Sequence, residues 1–162
     1  AYIAGLNGAQ ESIYILTPYF LPEPELLMAL QAAAMRGVSV NIVLPEHSNL
    51  PPVDWAASAP VQALLAHGCR VWLTPPPFDH GKLFLVDDAW ALIGSANWDP
   101  RSLRLNFEFC VECYDPAFGR RLRYVFAERL ARARQLTLDE LQARSWLLRL
   151  RDGFAGLFTP YL

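Results

Sequence analysis

Lysine is almost missing from this sequence of 162 residues: among its 14 Lys and Arg residues there is one lysine, Lys82. Cysteine is scarce and odd in number, at three, which excludes a disulfide framework and fits a reducing compartment. No apolar stretch reaches the roughly 18 residues that a membrane-spanning helix needs, so the chain is expected to lie against a bilayer rather than cross it. Internal repeats and low-complexity tracts are absent, which removes solenoids and disordered tails. There is also no initiator Met and no basic, apolar leader ahead of AYIAGLNGAQ, which reads as a helix already under way. The sequence is therefore expected to be a fragment of something longer, with any targeting signal lying outside it.

Charge is not lacking but is unevenly placed. The net charge is −2. Residues 1–100 carry Arg36, Arg70 and Lys82 against nine acidic residues, whereas residues 101–162 carry eleven arginines against seven acids. A basic C-terminal part suits an anionic partner, or else a solvated helical surface laced with ion pairs. The acidic first part is a poor surface for a polyanion such as nucleic acid.

Hydrophobic residues make up 53% of the chain, enough for a single domain, 1–162, with a full core. Ser12–Leu16 reads as a short strand and TPYFLPEPE as a Pro-broken loop. A helix over 25–35 ends at Gly37, and Val38–Leu44 is a strand. A helix is expected over 54–67, kinked at Pro60, and Cys69–Leu73 is the next strand. KLFLVD and WALIGS form two strands with a turn at Asp88-Ala89. NFEFCVECY reads as a further strand and 117–135 as a long amphipathic helix. Thr137 caps one more helix, with Asp139 and Glu140 in its first turn. Cys110 and Cys113, three apart on a strand, point to opposite faces, so their CxxC spacing reads as core packing rather than a metal or redox pair. This order predicts an α/β fold: a mixed sheet with helices on both faces.

His80 and Lys82 lie two apart just before an apolar strand, and so point to one side. Ser95 and Asn97 repeat that spacing after the next strand, with Gly94 permitting a close backbone approach. If both strand ends reach one pocket, an imidazole, an ammonium, a hydroxyl and an amide converge without metal-ligand spacing. That set suits a phosphoryl group. His80-x-Lys82-x4-Asp87-x6-Gly94-Ser95-x-Asn97 resembles the HKD motif of the phospholipase D superfamily. TPYFLPE, MRGVSVNIVLPE, GSANWDPRSLRLNFE and LFTPYL are similar to segments of bacterial cardiolipin synthases, and the likeness runs from about Ser12 to Leu162. Gly81 departs mildly from members that carry alanine or serine there.

The resemblance implies a phospholipase D-like α/β/α sandwich that forms the C-terminal half of a pseudo-twofold enzyme with two HKD motifs. It implies phosphatidyl transfer between phospholipids through a phosphohistidine, with cardiolipin made from phosphatidylglycerol. Phospholipase D-type hydrolysis and a single-motif homodimeric nuclease are the alternatives. Under this resemblance His80 is the nucleophile or the general acid. Lys82, Asn97 and Ser95 hold the non-bridging oxygens, and Glu108 accepts a hydrogen bond from the other nitrogen of His80. Asp87 is structural. Neither metal nor cofactor is called for. Arg101, Ser102 and Asn106 are positioned either to meet a second headgroup or to tie down their loop. Tyr19 and Phe20 are placed to line a lipid entrance. His47 and His67 carry no role. The partners implied are an anionic phospholipid at a membrane surface, and the missing N-terminal half or a second copy. The setting implied is the cytoplasmic face of the bacterial inner membrane, held peripherally. SWLLRLRDGFAGLFTPYL suits either a lipid interface or docking on the missing half.

Overall fold

A computed structural model describes all residues, 1–162. Helix α1 (Tyr2–Gly8) leads into β1 (Ser12–Leu16), followed by α2 (Pro24–Met35), β2 (Ser39–Pro45), α3 (Pro51–Ala56), α4 (Ser58–Ala66) and β3 (Arg70–Thr74). A hairpin of β4 (Leu83–Val86) and β5 (Trp90–Gly94) comes next. A π-helical turn over Arg101–Leu105 precedes β6 (Cys110–Cys113), α5 (Pro116–Leu130), β7 (Arg134–Leu136), α6 (Leu138–Gln142) and α7 (Trp146–Gly156).

The seven strands form one sheet in the order β6-β5-β4-β1-β2-β3-β7. β1, β2 and β3 run parallel, as strand–helix–strand connections require. β4, β5, β6 and β7 join antiparallel. Strands such as Ser12–Leu16 are buried on both faces because helices cover both. One face carries the larger core, in which Ile13, Ile15, Leu30, Ile42, Leu64 and Phe84 meet under α1, α2 and α4. On the other, Leu122 and Phe126 of α5 pack onto Leu16, Val43 and Leu85. Cys110 joins the first cluster and Cys113 the second, as the alternation of a strand dictates.

Three expected elements differ. The helix over 54–67 is two helices joined at Ala57, and Pro60 sits in the first turn of α4, where its missing N–H costs no hydrogen bond. The helix over 117–135 stops at Leu130, and Arg134–Leu136 pairs with β3 instead. That pairing satisfies the open edge of β3, a gain no local pattern encodes. Of NFEFCVECY only Cys110–Cys113 is strand. Of the eleven arginines after residue 100, six pair with carboxylates of this same chain: Arg104, Arg123, Arg129, Arg134, Arg144 and Arg151. The basic C-terminal part is thus largely the ion-paired helical surface that the sequence left open.

Candidate active site

The sheet's strand ends decide where the polar residues meet. β4 is antiparallel to β1 with Leu83 opposite Leu16, so the residues before β4 lie at the C-terminal edge of the parallel strands. Leu83 also faces Ile93, and the Gly94 amide donates to the Lys82 carbonyl at 3.4 Å. The start of β4 and the end of β5 therefore lie side by side. This edge is where open α/β sheets hold polar side chains rigidly above the core.

His80 is exposed and Lys82 half-buried. The Lys82 ammonium lies 2.9 Å from His80 Nδ1 and 3.2 Å from Nε2, and donates to the His80 carbonyl at 2.8 Å. An ammonium so close disfavours a second positive charge on the imidazole. Partial desolvation, then the Lys82 charge, lowers the imidazole's pKa, with Asp79 pulling the other way. Burial likewise lowers the Lys82 ammonium, while the Glu108, Asp79 and Asp99 carboxylates oppose the shift. Tyr19 stands alongside, its ring centroid 6.1 Å from that of His80.

Asn97 Nδ2 donates to the Ser102 hydroxyl at 3.2 Å, and its Oδ1 is buried with no partner. An amide turned over about χ2 would accept the Ser102 proton instead and leave Nδ2 as the open donor. Only the turned amide, with Nδ2 open, can donate to a phosphate oxygen; as it stands, Oδ1 is a buried acceptor without a donor. Ser102 is held in turn by its own amide, which donates to Asp99 at 2.8 Å, and by the π-helical turn, a conformation frequent at functional sites.

Several expected site residues have other partners in this structure. Glu108 makes no hydrogen bond to His80; it precedes β6, two strands from β4. Its carboxylate accepts instead from the Ser95 hydroxyl and from Asn106 at 3.3 Å, and the Ser95 bond, then Asn106 and Ser102 against desolvation, holds its pKa low. Ser95, expected on a phosphate oxygen, donates to Glu108 and accepts from the Phe109 amide at 3.0 Å. Phe20, expected at a lipid entrance or simply packed, is 2% exposed; a backbone bridge with Trp98 carries it into the core, where it also lines a cavity. Arg101 is exposed, and Asn106 joins the site's network through its hydrogen bond to Glu108, as Ser102 does through Asn97. Gly94 has the close approach foreseen for it, since a Cβ there would collide with the backbone of Phe109 and Cys110.

Sequence reasoning missed the support beneath His80. Asp79 accepts from the Gly81 amide at 2.9 Å and pairs with Arg129 of α5 at 2.7 Å, clamping the residues on either side of the histidine. Burial pushes the Asp79 carboxyl up, but the Gly81 and Arg129 bonds outweigh it and hold it below its ordinary 3.8. A carboxylate with a lowered folded pKa stabilises fully above the unfolded value and loses that contribution as pH falls through the folded one. Arg129→Gln is therefore expected to cost about 1 kcal/mol at pH 7, the pair being a quarter exposed. Urea midpoints of the two proteins should converge as pH drops below 3.8. A gap that stays constant to pH 2 would remove Asp79 from the account.

Comparison with known proteins agrees with this geometry. The family model described as "Cardiolipin synthase, PLD-like domain" matches residues 2–130. Cardiolipin synthase 2 of Staphylococcus epidermidis and the major cardiolipin synthase ClsA of Bacillus subtilis are each 37% identical over 161 residues, covering 99% of this chain and 33% of theirs. The chain thus spans about one third of the length of these curated relatives. Nuc from Salmonella typhimurium, a phospholipase D family member, has the same fold at a TM-score of 0.75 and 24% identity, over 84% of this chain and 88% of Nuc. The phosphatidylserine synthase of Haemophilus influenzae also gives 0.75, at 19% identity, over 99% of this chain and 44% of that one.

Proposed function

From the premise that the chain belongs to the phospholipase D-like family of cardiolipin synthases, we propose that His80 attacks the phosphorus of a phospholipid and passes the phosphatidyl group to a second lipid alcohol. The observation that carries this reading is the exposed imidazole with the only lysine of the chain 2.9 Å away. With phosphatidylglycerol as donor and acceptor, the products are cardiolipin and glycerol. A ring nitrogen of His80 forms the P–N bond as the bond from phosphorus to the headgroup oxygen breaks. That alkoxide takes a proton from a second acid, because an unprotonated alkoxide leaves poorly at neutral pH. The acceptor hydroxyl then gives its proton to the same group and displaces the histidine. Lys82, and Asn97 with its amide turned so that Nδ2 is the open donor, meet the charge on the non-bridging oxygens. Ser95 and Glu108 act as positioning residues, Glu108 also supporting the Lys82 charge. Water in place of the acceptor gives hydrolysis by the same route.

One HKD motif offers one imidazole. The second acid comes from another half or another copy, docked where Leu105, Phe107, Phe109 and Val111 stand exposed on the segment that leads into the edge strand β6. The same fold fills 88% of Nuc but 44% of the phosphatidylserine synthase, so it serves both as nearly a whole chain and as under half of one. No helix is long and apolar enough to cross a membrane. Peripheral contact at the cytoplasmic face of the inner membrane is supported by α7, which exposes Trp146, Leu147, Leu150 and Phe154.

Mass spectrometry of lipids after incubation with phosphatidylglycerol vesicles tests the proposal. Cardiolipin with free glycerol is expected. Phosphatidic acid as the sole product would make the protein a hydrolase, and unchanged lipid with DNA cleavage in EDTA would make it a nuclease.

A further inference from the structure

Beside the HKD residues the chain encloses a cavity of about 620 Å³, within the range of roughly 300–1,000 Å³ in which proteins hold small ligands. It lies between the ends of β2, β3 and β7 on one side and α3, α6 and α7 on the other. Its apolar walls include Phe20, Leu44, Val61, Leu73, Leu136 and Leu141. None of the motif residues lines it.

Much of the polar part of its lining is ion-paired. Arg134 pairs with Glu46 and Glu140, both at 3.0 Å. Arg144 and Arg151 converge on the buried Asp152 at 2.7 and 2.8 Å, and Arg151 also lies 4.4 Å over the ring of Trp55. Each guanidinium is already partnered, so the cavity offers an anion no unpaired cation. His47, Ser48, Asp54 and Ser58 add further polar lining, and apolar side chains form the rest of the wall.

Its position links it to the site. Pro18 and Ser48 line the cavity. Tyr19, next to Pro18, donates its hydroxyl to Asn49 at 2.6 Å, while its ring faces His80. A molecule with its phosphate at His80 can thus turn past Tyr19 and lay an apolar tail against Leu44 and Leu73. We propose that this cavity binds an acyl chain of the phospholipid whose phosphate is held at His80. The proposal rests on the phospholipid reading above, but chain binding can be measured without turnover.

The test uses the full chain and cis-parinaric acid, a fatty acid whose fluorescence rises in apolar surroundings. Val61→Phe and Leu141→Trp each fill the cavity, and circular dichroism checks that they fold. Either folded variant is expected to bind the probe at least tenfold more weakly than the wild type. Dioctanoyl phosphatidylglycerol should displace the probe, and deacylated glycerophosphoglycerol should not. A folded, filled variant that binds the probe like the wild type overturns the proposal, whatever the lipid products show. Displacement by the deacylated headgroup at equal concentration overturns it as well, because the cavity would then select a polar ligand.

Discussion

Alanine at position 80 is expected to reduce phosphatidyl transfer by at least about 10³-fold in the paired, active protein, while its melting temperature stays within a degree or two of wild type. The two halves of this expectation have separate causes. His80 is exposed and contacts Lys82 and the rings of Tyr19 and Phe78, so its removal opens no cavity in the core. Its chemistry has no substitute within the chain, since His47 and His67 do not belong to the network around Lys82. The pH profile gives a second handle. Partial desolvation and the Lys82 charge place the imidazole below its ordinary 6.5, so the nucleophile is still neutral somewhat below that pH. The acidic limb of kcat/KM should therefore fall below pH 6.5. Lys82→Met removes the repelling charge and should move that limb upward, along with a large loss of rate. Transfer by His80→Ala at wild-type rates would end the catalytic assignment. An acidic limb unmoved in Lys82→Met would show that the lysine acts on the substrate alone.

Asp87→Ala is expected to cost about 2–4 kcal/mol and lower the melting temperature by roughly 5–12 °C, without touching any residue at the phosphate site. Asp87 lies at the opposite end of β4 from Lys82. Its carboxylate accepts three successive backbone amides, those of Gln10, Glu11 and Ser12, at 2.8, 2.9 and 2.8 Å. These bonds bind the turn of the β4–β5 hairpin to the start of β1, where Ser12 is buried. Loss of the carboxylate leaves the partly buried Ser12 amide without an acceptor, while water can replace the bonds at the more exposed positions. Asp87 and Asp88 both adopt φ of +52°, and Asp tolerates that region better than a β-branched residue. Asp87→Asn keeps one acceptor oxygen and the turn geometry, and should lose about half as much. Thermal unfolding of the three proteins checks the order; equal midpoints for alanine and wild type would make the aspartate incidental to the fold. Arg123 reinforces the same corner by bonding Asp88 at 2.9 Å, Tyr14 at 2.8 Å and Ser12 at 2.9 Å.

Much of this was open to reading from the chain itself, for a local reason. A strand's alternation fixes which side chains share a face, so Cys110 and Cys113 point to opposite cores, and the short spacing of His80 and Lys82 beside β4 brings their side chains together. Turn and cap chemistry is equally local, and Gly37, at φ +94°, and the Thr137–Glu140 capping box lie where the sequence placed them. Strand order and side-chain reach are not local. Glu108 is close in sequence to Asn97, yet β5 lies between its own strand and β4, so the carboxylate meets Ser95 and not the histidine. Arg134–Leu136 has no strand pattern of its own and pairs because β3 has a free edge. Phe20 is drawn inward by a bridge to Trp98, 78 positions away.

By itself, then, the sequence determined the covalent spacing of the motif, the alternation of faces and the α/β order of elements, because each depends on neighbours along the backbone. Only the tertiary structure decided which carboxylate meets which donor, how Arg129 and Asp79 brace the histidine, and that a neutral, apolar-walled cavity lies beside the site. Those outcomes depend on distances between strands and helices far apart in the chain, which the packing of the whole sheet sets.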